Sequence, residues 1–271
     1  RFAPQDVDRL SLFPKASSLP KEVSEDRLFN GPGPWEAGCG DTVIEFEGLE
    51  IGRGGRTILR DISGRVCRGE IIALVGENGT GKTSLMLTIA GLLKPRSGRL
   101  SWPCRLDRRF RRARPALMLQ ESLWHLSGKS VKGELAWARK GASRRGGGVL
   151  PETLSSLLDL EALLERPGLL LSRGEMQRVA FAMAMLRNAP LVCLDEPLRF
   201  LWDQERKTIG RVLQAARNRG LSLLIASPEE ELLPWADQVW RLKRGRIEIC
   251  RNATACDNSA TLSSSAPSGG P

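Results

Sequence analysis

The chain has 271 residues, of which 41% are hydrophobic and 27% charged, and its formal net charge is +10. That balance excludes wholesale disorder, and the length supports one large domain or one domain with an inserted subdomain. The positive charge fits two classes of partner, nucleic acid or anionic headgroups and nucleotides, without choosing between them. No apolar run approaches the roughly 20 residues that span a bilayer. The polar first residues, broken by Pro4 and Pro14, are unlike a signal peptide. A role at a membrane would therefore require docking on something that crosses it. Cys39, Cys67, Cys104, Cys193, Cys250 and Cys256 show no CxxC pair and no metal spacing, so free thiols in a reducing compartment are expected. The sequence begins at Arg1 rather than Met, as a piece of a longer polypeptide would.

In chain order, residues 1–41 are Pro-, Gly- and Ser-rich and are expected to form a linker. Val43–Ile51 alternates apolar and polar side chains like a strand and is followed by the turn Gly52-Arg53-Gly54-Gly55. Thr57–Val66 continues as a second strand, and Glu70–Val75 holds the apolar run of a buried parallel strand. A glycine-rich loop leads into a helix over Ser84–Leu93, ended by Lys94-Pro95. Arg105–Arg114 packs six arginines into ten positions, a solvated connection or an anion-binding patch. Ala116–Leu119 is a strand, and residues 121–172 are read as a helical insertion, with Pro151–Leu164 carrying Leu154, Leu157, Leu158 and Leu160 at helical spacing. Gln177–Leu186 and Gln204–Arg219 are expected helices, with strands at Leu191–Leu194 and Ser222–Ala226. Such alternation predicts an α/β core with a parallel sheet covered on both faces. The Ser-, Ala- and Gly-rich tail at 251–271 is expected to be disordered.

Gly76-Glu77-Asn78-Gly79-Thr80-Gly81-Lys82-Thr83 fits G-x-x-x-x-G-K-[ST] between a strand and a helix. Glycines let the backbone curl so that successive N–H groups face phosphate oxygens, and the helix start adds its dipole and unpaired donors. Lys82 would neutralise the β- and γ-phosphates, Thr83 would ligate Mg²⁺, and the cradle extends to Ser84. Downstream, Leu191–Leu194 runs into Asp195, Glu196 and Pro197. Asp195 suits the Mg²⁺ shell, and Glu196 is placed to polarise an attacking water as general base.

With Leu171-Ser172-Arg173-Gly174-Glu175 just ahead of a helix, the chain from about Val43 to Glu248 resembles an ABC transporter ATPase, whose signature is Leu-Ser-Gly-Gly-Gln. The resemblance implies a P-loop NTPase core with a parallel sheet, an antiparallel β-subdomain and an inserted α-helical subdomain. Residues 42–250 would form the ATP-binding domain, with the helical subdomain at about 121–172. It implies that Leu171–Glu175 clamps ATP held by a second ATPase domain, in a homo- or heterodimer or within one polypeptide. Gln120 matches the family glutamine that senses Mg²⁺ and water and touches an integral membrane subunit. Ser130-Val131-Lys132-Gly133-Glu134-Leu135-Ala136-Trp137 is similar to a stretch of energy-coupling-factor and cobalt-type importers, and Pro4–Lys21 faintly resembles the linker between their fused ATPase halves. Hydrolysis at the cytoplasmic face of a membrane, driving uptake of a vitamin or metal ion, is the activity implied.

Three positions depart from the family pattern. Ser227 stands where a switch histidine is expected, Trp202 stands where the aspartate after Glu196 belongs, and Arg53 stands at the aromatic adenine platform. A serine hydroxyl is shorter than imidazole and carries no charge, so slow hydrolysis beside a more complete partner is expected. Arg53 would either stack its guanidinium on the base or simply face solvent. His125, the one histidine, is expected to be structural. Trp124 and Trp137 fall where a membrane partner would insert, as interface anchors or, equally, as core packing. Two other readings stay open: a soluble ABC ATPase acting on nucleic acid or ribosomes, favoured by the charge, and a regulatory ATP-binding half with little hydrolysis, favoured by Ser227.

Overall fold

The computed structural model describes residues 42–102, 115–121, 125–127, 130–140, 151–187, 189–228 and 234–251. The expected linker at 1–41, the arginine run Arg105–Arg114, Trp124 and the tail from residue 252 lie outside them. Two sheets organise the rest. β1 (Thr42–Arg53) pairs antiparallel with β2 (Arg56–Cys67) and with β4 (Ser97–Ser101), in the order β2-β1-β4. The second sheet has six strands in the order β5-β6-β7-β3-β8-β9. Here β3 is Ile71–Val75, β5 Ala116–Met118, β6 Leu191–Asp195, β7 Ser222–Ser227, β8 Gln238–Lys243 and β9 Arg246–Arg251. All neighbours are parallel except β9, which folds back on β8.

The apolar runs of the central strands conceal a period of two. Ile71, Ala73, Val75, Val192, Leu194, Leu223 and Ile225 face one core. Ile72, Leu74, Leu191, Cys193, Leu224 and Ala226 face the other. The first core is covered by four helices: α2 (Val131–Lys140), α3 (Pro151–Leu157), α4 (Arg173–Leu186) and α5 (Asp203–Asn218). The second is covered by the antiparallel sheet and α1 (Lys82–Ile89). Both faces of a parallel sheet are thus dry, which is why its strands lack visible alternation. In α5, Gly210 is required by close approach, because a Cβ there would lie 2.4 Å from the Trp235 ring.

Several boundaries differ from the sequence expectation. Helix α1 starts two residues earlier, at the end of the glycine loop, and stops at Ile89 rather than Leu93. Gly91 turns the chain with φ 70°, its N–H reaching Thr88 O at 3.0 Å, well before Lys94-Pro95. Helix α3 ends at Leu157 rather than Leu164: Asp159 takes a left-handed φ of 54°, and a 3₁₀ turn over Glu161–Leu163 follows. The leucines at helical spacing are nonetheless buried, Leu154, Leu157, Leu158 and Leu160 among them. Helix α4 begins four residues before the expected Gln177, because Ser172 caps it. Among the described residues no helix is long and apolar enough to cross a membrane, and Cys67, Cys193 and Cys250 form no disulfide.

Candidate functional site

Four parallel strands end side by side. The carboxyl ends of β3, β6, β5 and β7 deliver, in turn, the loop from Gly76, the pair Asp195 and Glu196, the segment with Gln120, and Ser227, which pairs with Val75. Ligand sites of open α/β sheets form at this edge.

The loop is closed on itself. Lys82 is buried, and its Nζ donates to Gly76 O at 2.6 Å and Glu77 O at 3.0 Å. Thr80 turns back in the same way, its Oγ1 donating to Glu77 O at 2.8 Å. Gly81 (φ 105°) packs so tightly on β2 that a Cβ would lie 2.9 Å from Ile58 Cγ2, so the helix start can approach only without a side chain there. Burial pushes the Lys82 ammonium below its ordinary value, against the pull of the Glu196 and Asp195 carboxylates.

Thr83 Oγ1 donates to Asp195 Oδ2 at 2.5 Å, joining the loop to the acidic strand end. Asp195 is 1% exposed, and burial raises its carboxyl above the usual range despite the Thr83 bond; Glu196 raises it further and Lys82 lowers it. Two hard oxygens so placed are a donor set for a divalent cation that takes its remaining ligands from phosphate and water. No cluster of three acidic, His or Cys side chains fit to hold a metal occurs among the described residues.

Glu196 takes φ 51°, a left-handed conformation uncommon outside glycine. Its N–H bonds Ala226 O at 2.9 Å and its carbonyl accepts from Gln177 Nε2 at 2.7 Å. Gln120 Nε2 donates to Glu196 Oε2 at 3.0 Å, so the glutamine expected at this site is there, directed at the carboxylate. The chain after Gln120 is pinned by a half-buried histidine and a buried glutamate. His125 Nε2 accepts from Leu119 N at 2.7 Å, and burial holds the imidazole below its ordinary value. Glu134, 1% exposed in α2, accepts from Ser127 N and Oγ at 2.6 and 2.8 Å. Both bonds tie the segment after Gln120 back to the chain around it.

Ser172 is the N-cap of α4, with a reciprocal capping box: Ser172 N donates to Glu175 Oε2 at 2.7 Å, and Glu175 N to Ser172 Oγ at 3.3 Å. Burial would raise the Glu175 carboxyl, but the Ser172 bonds, Arg166 and Arg178 bring it below the usual range. Leu171 is buried, Arg173 exposed, and Gly174 lies beneath the Phe200 carbonyl. Among the described residues no hydrogen bond or ion pair of Leu171–Glu175 reaches the loop Gly76–Ser84. Arg53 sits at the exposed end of the β1–β2 hairpin, paired in register with Arg56. The contacts that sequence reasoning missed are those of Gln177, Arg199 and Phe200; the departures in the loop after Glu196 were the available signal.

A strand, a glycine loop curled around its own lysine, and a carboxylate strand end bonded to the following threonine define a P-loop nucleotide-binding core. The model of the ABC transporter family matches residues 59–199, and the chain belongs to that family of ATP-binding ATPases. A zinc import ATP-binding protein (ZnuC) of Halorhodospira halophila is 32% identical over 217 residues, covering 79% of each chain. A cytochrome c biogenesis ATP-binding export protein (CcmA) of Maricaulis maris is 32% identical over 200 residues, 72% of this chain and 89% of that one. In fold, the chain resembles CbiO1 of Clostridium perfringens, described as part of the ABC transporter complex CbiONQ. The TM-score is 0.65 at 23% identity, over 82% of this chain and 93% of that one.

Proposed function

We propose that this chain hydrolyses ATP as one half of an ATPase pair that drives a membrane importer of the energy-coupling-factor or cobalt type, peripherally at the cytoplasmic face. The ATP-binding domain is residues 42–250. The observation that carries the nucleotide chemistry is the 2.5 Å bond from Thr83 to Asp195, which brings a phosphate loop and an acidic strand end to one point. Gly76–Ser84 would cradle the triphosphate, with the Lys82 ammonium exchanging the two carbonyls for phosphate oxygens. Thr83 and Asp195, with Gln120 beside them, would hold Mg²⁺, which when bound supplies positive charge against the phosphates. Glu196 orients and deprotonates the attacking water. Ser227 holds the γ-phosphate and water less firmly than a histidine would, so turnover is slow. Arg53 stacks on the base.

Leu171, Ser172, Arg173, Gly174 and Glu175 face the ATP of a second ATPase domain, on another chain or in the same polypeptide. Closure of the pair on ATP and reopening after hydrolysis would pass to an integral membrane subunit near Gln120 and the helical insertion. The likeness to an import ATPase and to CbiO1, with the stretch Ser130–Trp137, supports import of a vitamin or metal ion. The export relative shares the same ATPase chemistry, so direction and cargo rest with the membrane partner. The charge of +10 favours a second reading, an ATPase acting on nucleic acid.

Two measurements test this. In calorimetry, Lys82→Ala should weaken ATP binding by at least about tenfold, the worth of a lost charge-assisted hydrogen bond; unchanged affinity would sink the nucleotide assignment. Purification from detergent-extracted membranes should retain an integral membrane protein. Retained nucleic acid with steep salt dependence would instead support the second reading.

A further inference from the structure

The turn after β6 holds a cation that the chemistry above leaves unused. Arg199 N donates to Glu196 O at 3.2 Å, and the turn is bracketed by two left-handed residues, Glu196 at φ 51° and Phe200 at φ 64°. Non-glycine residues in that region cost conformational energy and persist where the surroundings fix them. The turn brings the Arg199 side chain back over the carboxylate. Its Nε lies 3.8 Å from Glu196 Oε2, and its Nη1 lies 3.8 Å from Oε1 of Glu121, the neighbour of Gln120. The guanidinium carbon stands 4.6 Å from the Phe200 ring centroid, and the same ring carries Arg173 at 5.3 Å. Gln120 bonds the same Glu196 Oε2 that Arg199 approaches.

We propose that Arg199 is a positioning residue for hydrolysis: with Gln120 it holds Glu196 by Oε2, leaving Oε1 for the attacking water, and Phe200 keeps the guanidinium in place. This deepens the reading of Glu196 as general base and rests on it. A glutamate has three side-chain torsions, and a general base must lie within hydrogen-bond reach of the proton it takes. One anchored oxygen removes most of that freedom before substrate arrives. The planar guanidinium spans both carboxylates at once, and an ammonium would not. The Arg199 side chain is 36% exposed, so the ion pair itself adds little to folding. Its removal should therefore be felt in the rate and not in the melting temperature.

The test is single-turnover and steady-state ATP hydrolysis by the full chain with Mg²⁺. Arg199→Ala should lower kcat by about tenfold, less than the roughly hundredfold cost of a 1 Å misplacement, with the ATP KM and the melting temperature unchanged. Arg199→Lys should recover only part of the rate, and Phe200→Ala should lower kcat less than Arg199→Ala does. In a Glu196→Gln background, Arg199→Ala should have no further effect, because residues that act as a unit are not additive. A full-rate Arg199→Ala protein, or an undiminished loss in the Glu196→Gln background, overturns the inference. Glu196→Gln hydrolysing at the parent rate overturns the general-base reading, and this inference with it. A slow Glu196→Gln beside a full-rate Arg199→Ala overturns this inference alone.

Discussion

The phosphate loop and the start of α4 both present a helix amino terminus at a glycine-containing segment, yet they are finished differently. At the loop, Lys82 and Asp195 are buried and bonded within the chain. At the start of α4, Arg173 is exposed, and around it Leu170, Phe200 and Trp202 leave 68%, 41% and 81% of their surface to solvent. Leu169 is half exposed as well. Apolar side chains so exposed would suit the pairing with a second ATPase domain proposed above. One region ties its polar groups together within the chain, and the other leaves apolar side chains to solvent.

Four substitutions sharpen or break that contrast. Trp240 is fully buried, edge-on to Phe46 at 5.6 Å, in the core beneath the loop. Trp240→Ala should cost about 3–5 kcal/mol in denaturant unfolding. Ser172→Ala removes the cap of α4 and should cost about 1 kcal/mol by the same measurement, through the helix rather than the loop. Asp195→Asn should raise the melting temperature of the nucleotide-free protein near neutral pH. The sign follows from the raised carboxyl of Asp195: the folded state binds that proton more readily, so ionising the group in place costs stability. The gain should shrink as pH falls through the raised native value and vanish below 3.8, where Asp195 is protonated folded or unfolded. A gain that persists in acid would place its origin elsewhere. Trp202→Ala should change stability by no more than about 0.5 kcal/mol while weakening association with a second ATPase domain in sedimentation. If Trp202→Ala unfolds the protein as Trp240→Ala does, the contrast between the two regions is gone.

The parts of this molecule legible in sequence were those encoded by short-range pattern. The loop Gly76–Thr83 and the strand end at Asp195 each place polar groups at a fixed, short spacing along the chain. β4 was missed because Ser97–Ser101 is largely exposed and owes its conformation to pairing with β1. β8 was missed because charged Arg241 and Lys243 interrupt its apolar residues and mask a strand that is buried through Val239, Trp240 and Leu242. Helix α3 was overrun because leucine spacing reports burial, and burial continues past Asp159 where the helix does not. The contacts of Glu196 with Gln120 and Gln177 join three segments, and no local pattern reports them.

The two-faced partition of the central sheet carries a consequence for fidelity. Sliding β3 by one position would exchange Ile71, Ala73 and Val75 for Ile72 and Leu74 between the cores, apolar for apolar, with little penalty from water. Alignment must then be enforced at the strand tips. At the amino end, Asp237 accepts from Ile71 N at 2.9 Å and is gripped by Arg217. At the carboxyl end, the Thr83 hydroxyl finds the Asp195 carboxylate only in the native alignment. The polar groups assigned to phosphate chemistry thereby double as the proofreading marks of the sheet that presents them.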